Sequence, residues 1–137
     1  YAKQATFLDS NPRAVSFARF SAHLNGLGDR CTFVQGSLCS PELPKELKGS
    51  KFDVILSSPG TLPNPKTAIA NGGPCFVRGG EDGERELAAL VAKGARQLLA
   101  PAGRLVAAAM APNAGALAGR LAGWADASAS EPSGPRA

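Results

Sequence analysis

"ATFLDSNPRAVSFARF", residues 5–20, joins a strand pattern to a helix pattern through one capped corner, the basic unit of an α/β fold. The apolar run closes on Asp9, and Ser10 or Asn11 can then serve as the helix N-cap. Pro12 follows at the first helical position, where a missing N–H costs nothing. The stretch therefore predicts a strand that ends at the acid and an amphipathic helix that begins at the proline.

The rest of the chain repeats this alternation of strand and helix patterns. Alanine recurs at every fourth position of the first helix, beside bulkier residues, as far as a left-handed C-cap at Asn25–Gly26. Such an order is typical of an α/β protein whose parallel sheet carries helices on both sides. The remaining predicted elements are a strand at 31–35, a short helix within 40–47, a strand at 51–57, a helix from about 84 to 99, a strand at 104–110 and a weaker helix at 113–124.

Proline, glycine and apolar runs refine this outline. The strand at 51–57 is apolar enough to be buried on both faces, as central parallel strands are. Many breakers between 58 and about 80 predict a long loop, and long loops in compact domains are usually functional or disordered. Pro101 and Gly103 predict the end of the second long helix. We expect one domain over 1–124, followed by a disordered tail over 125–137.

Composition narrows the class of protein. A chain of 137 residues suits one small α/β domain, and its net charge of +4 comes from scattered rather than clustered Lys and Arg. Three cysteines without a CxxC pair favour a reducing, intracellular compartment, most simply the cytoplasm, and argue against a disulfide framework or zinc site. No run of about 18 apolar residues occurs, so we expect no membrane-spanning segment.

Polar residues directly follow three of the predicted strands. In parallel sheets, ligands bind at these carboxyl ends of the strands. Asp9 can accept two hydrogen bonds from a ribose diol, or it can be a helix-capping acid. Gly36, with Ser37 and Leu38 after it, can let a flat ring approach the backbone, or it can form a plain turn.

The third corner, Ser57–Gly60, follows the most apolar strand. Pro59 removes a donor and fixes the turn, so that neighbouring carbonyls are held rigidly. The Ser58 hydroxyl can accept or donate a hydrogen bond, and such a corner can orient an amine nitrogen toward an electrophilic methyl group. An ordinary strand-to-loop turn is the alternative.

These segments, taken in order, resemble the class I S-adenosylmethionine-dependent methyltransferases. The branch most similar to this chain methylates nitrogen on protein glutamine, ribosomal RNA guanine or DNA adenine. The resemblance covers about residues 5–110 and implies a Rossmann-like parallel sheet sandwiched by helices. Its specificity lies in the order of five segments, which read FLDSNPRAVSFARFSAHLNGL, GSL, FDVILSSPGTLPNP, RGGEDGE and LLAPAGRLV.

The resemblance also implies a role for individual residues. S-adenosylmethionine would be the cofactor, with the ribose at Asp9, and its binding residues would be Asp9, Ser10, Gly36, Ser37, Leu38 and Ser57. Ser58 and Pro59 would form the catalytic corner, in the place of the family's Asn-Pro-Pro-Tyr motif. The chain departs from that motif, with Ser58 at the asparagine, Gly60 at the second proline and Thr61 at the aromatic residue. The methyl acceptor stays open among protein glutamine, an RNA or DNA base and a small amine.

Two further expectations concern completeness and rival functions. The family's first strand and its glycine-rich turn should precede Ala5, and the chain opens on Tyr1 instead. We therefore expect a fragment whose two halves share no neighbouring strand, and which folds poorly and binds the cofactor weakly alone. The rival functions are another nucleotide-binding enzyme, such as a nicotinamide dehydrogenase, and a catalytically silent relative that binds a partner.

Overall fold

The structure is a computed structural model, and it describes residues 2–60, 80, 83–108, 118–119 and 122–123. The chain divides into two compact units, Tyr1–Ser50 and Lys51–Ala137. The elements are β1 (Ala5–Asp9), α1 (Pro12–Leu24), β2 (Cys31–Gln35), β3 (Phe52–Ser57), α2 (Arg85–Ala89) with its π-helical continuation (Leu90–Leu98), and β4 (Leu99–Ala107), together with 3-10 turns at Gly28–Arg30 and Lys45–Leu47.

The first unit is built on a β1–α1–β2 segment, as the sequence predicts. β1 and β2 are parallel and pair without a shift from Ala5↔Cys31 to Asp9↔Gln35. Asn11 is the N-cap of α1, and its side chain accepts a hydrogen bond from the backbone N–H of Arg13 at 2.9 Å. The predicted strands at 5–9 and 31–35 and the predicted helix between them are confirmed.

The predicted left-handed C-cap at the end of α1 is also confirmed. Gly26 has φ +66°, in the left-handed region that glycine adopts without strain. Its N–H donates to the carbonyl of His23 at 3.0 Å, which satisfies one of the orphan carbonyls of the last turn.

The bulky side of α1 does not face the core of the first unit. The buried residues of this helix are Val15 and Ala22, whereas Phe17 and Phe20 are 65% and 60% exposed. These two phenylalanines line an open hollow of about 450 Å³ together with residues of the first turn. The helix therefore packs through small side chains, and the larger aromatic ones stay at the surface.

The second unit contains β3, the helix over 85–98 and β4. β3 and β4 are parallel, and the helix turns an apolar side inward with Leu87, Leu90 and Leu98 buried. The predicted helix from about 84 to 99 is thus confirmed over 85–98.

The junction between this helix and β4 corrects the sequence prediction. The strand begins at Leu99 rather than at residue 104, so Pro101 and Gly103 lie inside β4 instead of in the helix end. The pairing jumps from Phe52↔Leu99 to Val54↔Arg104, and an irregularity of this kind accommodates a proline that cannot donate to the ladder. Gly103 is needed there, because a Cβ at this position would lie 2.9 Å from the carbonyl oxygen of Phe52.

The prediction that the strand at 51–57 is buried on both faces is wrong. Val54 and Leu56 of β3 are 54% and 74% exposed, and Val106, opposite Leu56, is 55% exposed. Ile55 and Ser57, on the alternate side, are half-buried. Within the described part of this unit, one face of the sheet is thus covered and the other is not.

Taken together, the described residues form a mixed α/β structure with parallel strands. Their strands make two separate two-stranded sheets, β1–β2 and β3–β4. Residues 118–119 and 122–123 are helical. The predicted loop over 61–79, most of the predicted 113–124 helix and the predicted tail over 125–137 lie outside the described residues. No helix in the described part of the chain is long and apolar enough to cross a membrane.

Candidate functional site

The first unit brings two predicted site residues together at one end of its sheet. Asp9 is the last paired residue of β1, opposite Gln35 of β2. Gly36 directly follows β2, and its N–H donates to the carbonyl of Asp9 at 3.0 Å. Because parallel strands end at the same edge, Asp9 and Gly36 form one polar corner, as the sequence analysis expects.

The carboxylate of Asp9 has a structural partner and remaining capacity. It is exposed, and its Oδ1 oxygen accepts a hydrogen bond from the backbone N–H of Asn11 at 2.8 Å. An ionised carboxylate offers about four lone-pair sites, so one such bond leaves most of its accepting capacity open. The helix-capping alternative is therefore partly correct, since Asp9 orders the turn in which Asn11 is the cap. Ser10, between them, is exposed.

Gly36 has a packing reason to be glycine. A Cβ at this position would lie 2.7 Å from Cγ of Pro44 and 3.5 Å from Cδ1 of Leu8. The backbone just after β2 thus packs directly against the Pro44 ring. The glycine of this corner is explained without a ligand, and an approach of a flat ring to its backbone remains a prediction.

Ser37 and Leu38 continue the corner as half-buried residues. The Ser37 hydroxyl accepts a hydrogen bond from the backbone N–H of Cys39 at 3.0 Å. A serine that bonds two residues ahead forms a local turn, which supports the plain-turn interpretation. The hydroxyl can still donate its own proton outward.

The second unit contains the Ser57–Gly60 corner. The Ser57 carbonyl accepts from the N–H of Ala108 at 2.9 Å, which extends the β3–β4 ladder to the last residue of β3. Ser58 is exposed and Pro59 is half-buried, as expected for residues that leave a sheet. Gly60 is buried, and its N–H donates to Oε2 of Glu86 at 2.9 Å.

Glu86 is the residue of this corner that sequence reasoning missed. It lies in the first turn of α2 and is half-buried. Its partner follows from a general rule, because Gly60 carries an N–H in a buried position, and a buried N–H requires an acceptor. The identity of the acceptor, 26 residues away, could not be read from local patterns.

The predicted site residues thus fall into two corners, one in each unit. Asp9, Ser10 and Gly36–Leu38 belong to the first, and Ser57–Gly60 belong to the second, where Glu86 joins them. Thr61, the predicted counterpart of an aromatic residue, lies outside the described residues. Among the residues that are described, no group of three or more His, Cys, Asp or Glu side chains is placed to hold a metal ion.

The chain matches no protein-family model, no curated protein and no solved structure.

Proposed function

We propose that this chain is part of a class I S-adenosylmethionine-dependent methyltransferase that acts on nitrogen, with a Rossmann-like sheet. One observation carries the proposal: the acid that ends β1 is hydrogen-bonded through its carbonyl to the glycine that follows β2. The bond holds the acid and the glycine side by side at the carboxyl ends of two parallel strands, where open α/β sheets bind nucleotides. The ordered series of segments described in the sequence analysis supports the same function.

The first corner fits a nucleoside. The exposed Asp9 carboxylate has accepting capacity beyond its bond to Asn11, so it can receive the two hydroxyls of a ribose. Ser10 and the Gly36–Leu38 backbone offer further polar groups beside it. When bound, S-adenosylmethionine would supply an electrophilic methyl group.

The second corner is the proposed acceptor site. Ser58 presents a hydroxyl to solvent, and Pro59 fixes the backbone between it and Gly60. These groups would accept hydrogen bonds from the N–H of an acceptor and thereby direct its lone pair. Protein glutamine, an RNA or DNA base and a small amine are the acceptor classes we propose, in the reducing compartment expected from the cysteine content.

Calorimetry with S-adenosylmethionine tests this proposal. We expect the chain to bind it weakly and Asp9→Ala to bind it at least about tenfold more weakly still, because hydrogen bonds to charged groups contribute about 1.5–3 kcal/mol. The matched control is Asp29→Ala, which removes an exposed acid from the 3-10 turn of the same unit. A folded chain that does not bind S-adenosylmethionine would rule the proposal out.

A catalytically silent binding domain is the second candidate, and the structure offers one reason to consider it. Two polar groups of the corners, the Ser37 hydroxyl and the Gly60 N–H, already bond to other parts of the chain. A silent relative would bind S-adenosylmethionine without transferring methyl groups to any of the proposed acceptor classes. Titration with a nicotinamide dinucleotide separates both from another nucleotide-binding enzyme, since Asp9 would serve that ribose equally well.

A further inference from the structure

The bond between Gly60 and Glu86 is unusual for its position just beyond a strand. The β3–β4 ladder reaches its last described bond at Ser57, and Pro59 has no N–H to continue it. Three residues beyond Ser57, the buried N–H of Gly60 is 2.9 Å from a carboxylate oxygen of Glu86. The corner is therefore tied at one end to β4 and at the other to α2.

A charged acceptor makes this second tie strong. Hydrogen bonds to an ionised group are shorter and about twice as strong as those between neutral groups. Gly60 is buried and Glu86 is half-buried, so water competes weakly for the bond. Without Glu86 the Gly60 N–H would be left in a buried position with no acceptor among the described residues, and the backbone would have to move to reach water.

The helix turn that carries Glu86 is held in place by packing. Glu86 lies one residue before Leu87, which is buried against the second unit's core at 3% exposure. Gly83, shortly before the helix, has a φ of 84°, in the left-handed region that glycine adopts without strain. The carboxylate thus projects from a packed helix start rather than from a loop.

We propose that Glu86 is a positioning residue for the Ser58–Pro59 acceptor corner, and that it provides the rigidity that a second proline would otherwise provide at position 60. This inference rests on the proposed function, because it is the acceptor nitrogen that Ser58 and Pro59 would orient. Glu86 acts through the Gly60 backbone and needs no contact with the acceptor.

Three variants of the full chain separate the hydrogen bond from charge and from folding. Glu86→Ala removes the acceptor, whereas Glu86→Gln keeps an oxygen at the same reach without charge. Asp53→Asn is the matched control, because it removes an exposed carboxylate from β3 of the same unit. The first readout is amide hydrogen exchange at Gly60, compared with the amides of β3 and β4.

We expect exchange at Gly60 to rise by about tenfold or more in Glu86→Ala and by a smaller factor in Glu86→Gln, which keeps a weaker neutral acceptor, with the β3 and β4 amides unchanged in both. Asp53→Asn should leave Gly60 as it is. Unchanged exchange at Gly60 in Glu86→Ala would overturn the inference, and so would an equal rise across the whole sheet, since that is general destabilisation.

The second readout is methyl transfer to the acceptor classes named above. A positioning role predicts a fall in kcat of about tenfold or more in Glu86→Ala, an unchanged KM for S-adenosylmethionine, and rescue by Glu86→Gln. An active chain with unchanged kcat in Glu86→Ala would overturn the role. If the wild-type chain transfers no methyl group, the proposed function fails, and Gly60 exchange still decides whether Glu86 holds the corner.

Discussion

Asp9 accepts the backbone N–H of Asn11 at 2.8 Å, and Asn11 in turn accepts the backbone N–H of Arg13 at 2.9 Å. These two bonds carry the chain from the end of β1 into the first turn of α1. The proposed ribose-binding acid is therefore also a structural residue. Its two roles need different properties, because a capping turn requires only an acceptor whereas a ribose benefits from a full negative charge.

Asp9→Asn separates these roles. The amide oxygen can still accept the N–H of Asn11, so the free energy of unfolding should fall by less than about 1 kcal/mol, the size of a lost charge interaction at a helix N-terminus. Affinity for S-adenosylmethionine should fall about tenfold, because a charged acceptor is replaced by a neutral one. Urea unfolding and calorimetry on the same samples measure both. Equal affinity in Asp9→Asn and wild type would remove Asp9 from the proposed cofactor site.

Asn11→Ala should destabilise the first unit through its helix. The variant loses the side-chain acceptor for the Arg13 N–H, and loss of an N-cap costs about 0.5–2 kcal/mol. Asn11→Ser is the rescue, because its hydroxyl can accept the same N–H. Thermal unfolding followed by circular dichroism would show the loss. If serine and alanine were equally destabilising, the cap would not be the cause.

Gly26→Ala and Gly28→Ala form a matched pair at the end of α1. Neither position has a neighbour within 4 Å of an added Cβ, but only Gly26 has a left-handed φ, of +66°. We expect Gly26→Ala to cost about 1 kcal/mol, because alanine is strained in this region, and Gly28→Ala to be neutral or slightly stabilising. Chemical denaturation of both variants distinguishes backbone strain from contact. Equal effects would contradict the left-handed C-cap.

Val34→Ala and Phe20→Ala test where the core of the first unit lies. Val34 is 2% exposed, and the loss of two methyl groups there should cost about 1.5–3 kcal/mol. Phe20 is 60% exposed, so its larger truncation should change the free energy of unfolding by less than about 1 kcal/mol. A larger loss for Phe20 than for Val34 would show that the outer side of α1 is covered in solution.

Local rules predicted the first unit almost completely. The acid, cap, proline and closing glycine each act within a few residues, so β1, α1 and β2 could be placed from sequence alone. The start of β4 could not, because Pro101 is a helix breaker by its covalent structure and a strand residue only where the ladder shifts. That shift depends on the approach of Gly103 to Phe52, which is a tertiary contact.

The burial of β3 and the Gly60–Glu86 bond were also hard to predict from sequence, because both depend on contacts between distant parts of the chain. The unbroken apolar run of β3 is compatible with one covered face or with two, and periodicity does not distinguish the number of layers. Among the residues that the structure describes, one face of β3 is covered, and Leu56 on the other face is 74% exposed. Glu86 lies within the predicted helix, and no local pattern links it to Gly60, which is 26 residues away.

The two parallel pairings differ in the length of chain that each must close, and this difference orders the events of folding. Ala5 pairs with Cys31, whereas Val54 pairs with Arg104, so the second closure spans about twice as many residues as the first. Each doubling adds about 0.6 kcal/mol of closure entropy, and the first segment also contains a capped helix that can form early. The β1–α1–β2 segment is therefore expected to form first, and closure of β3 on β4 is expected to set the rate at which the chain reaches its native state.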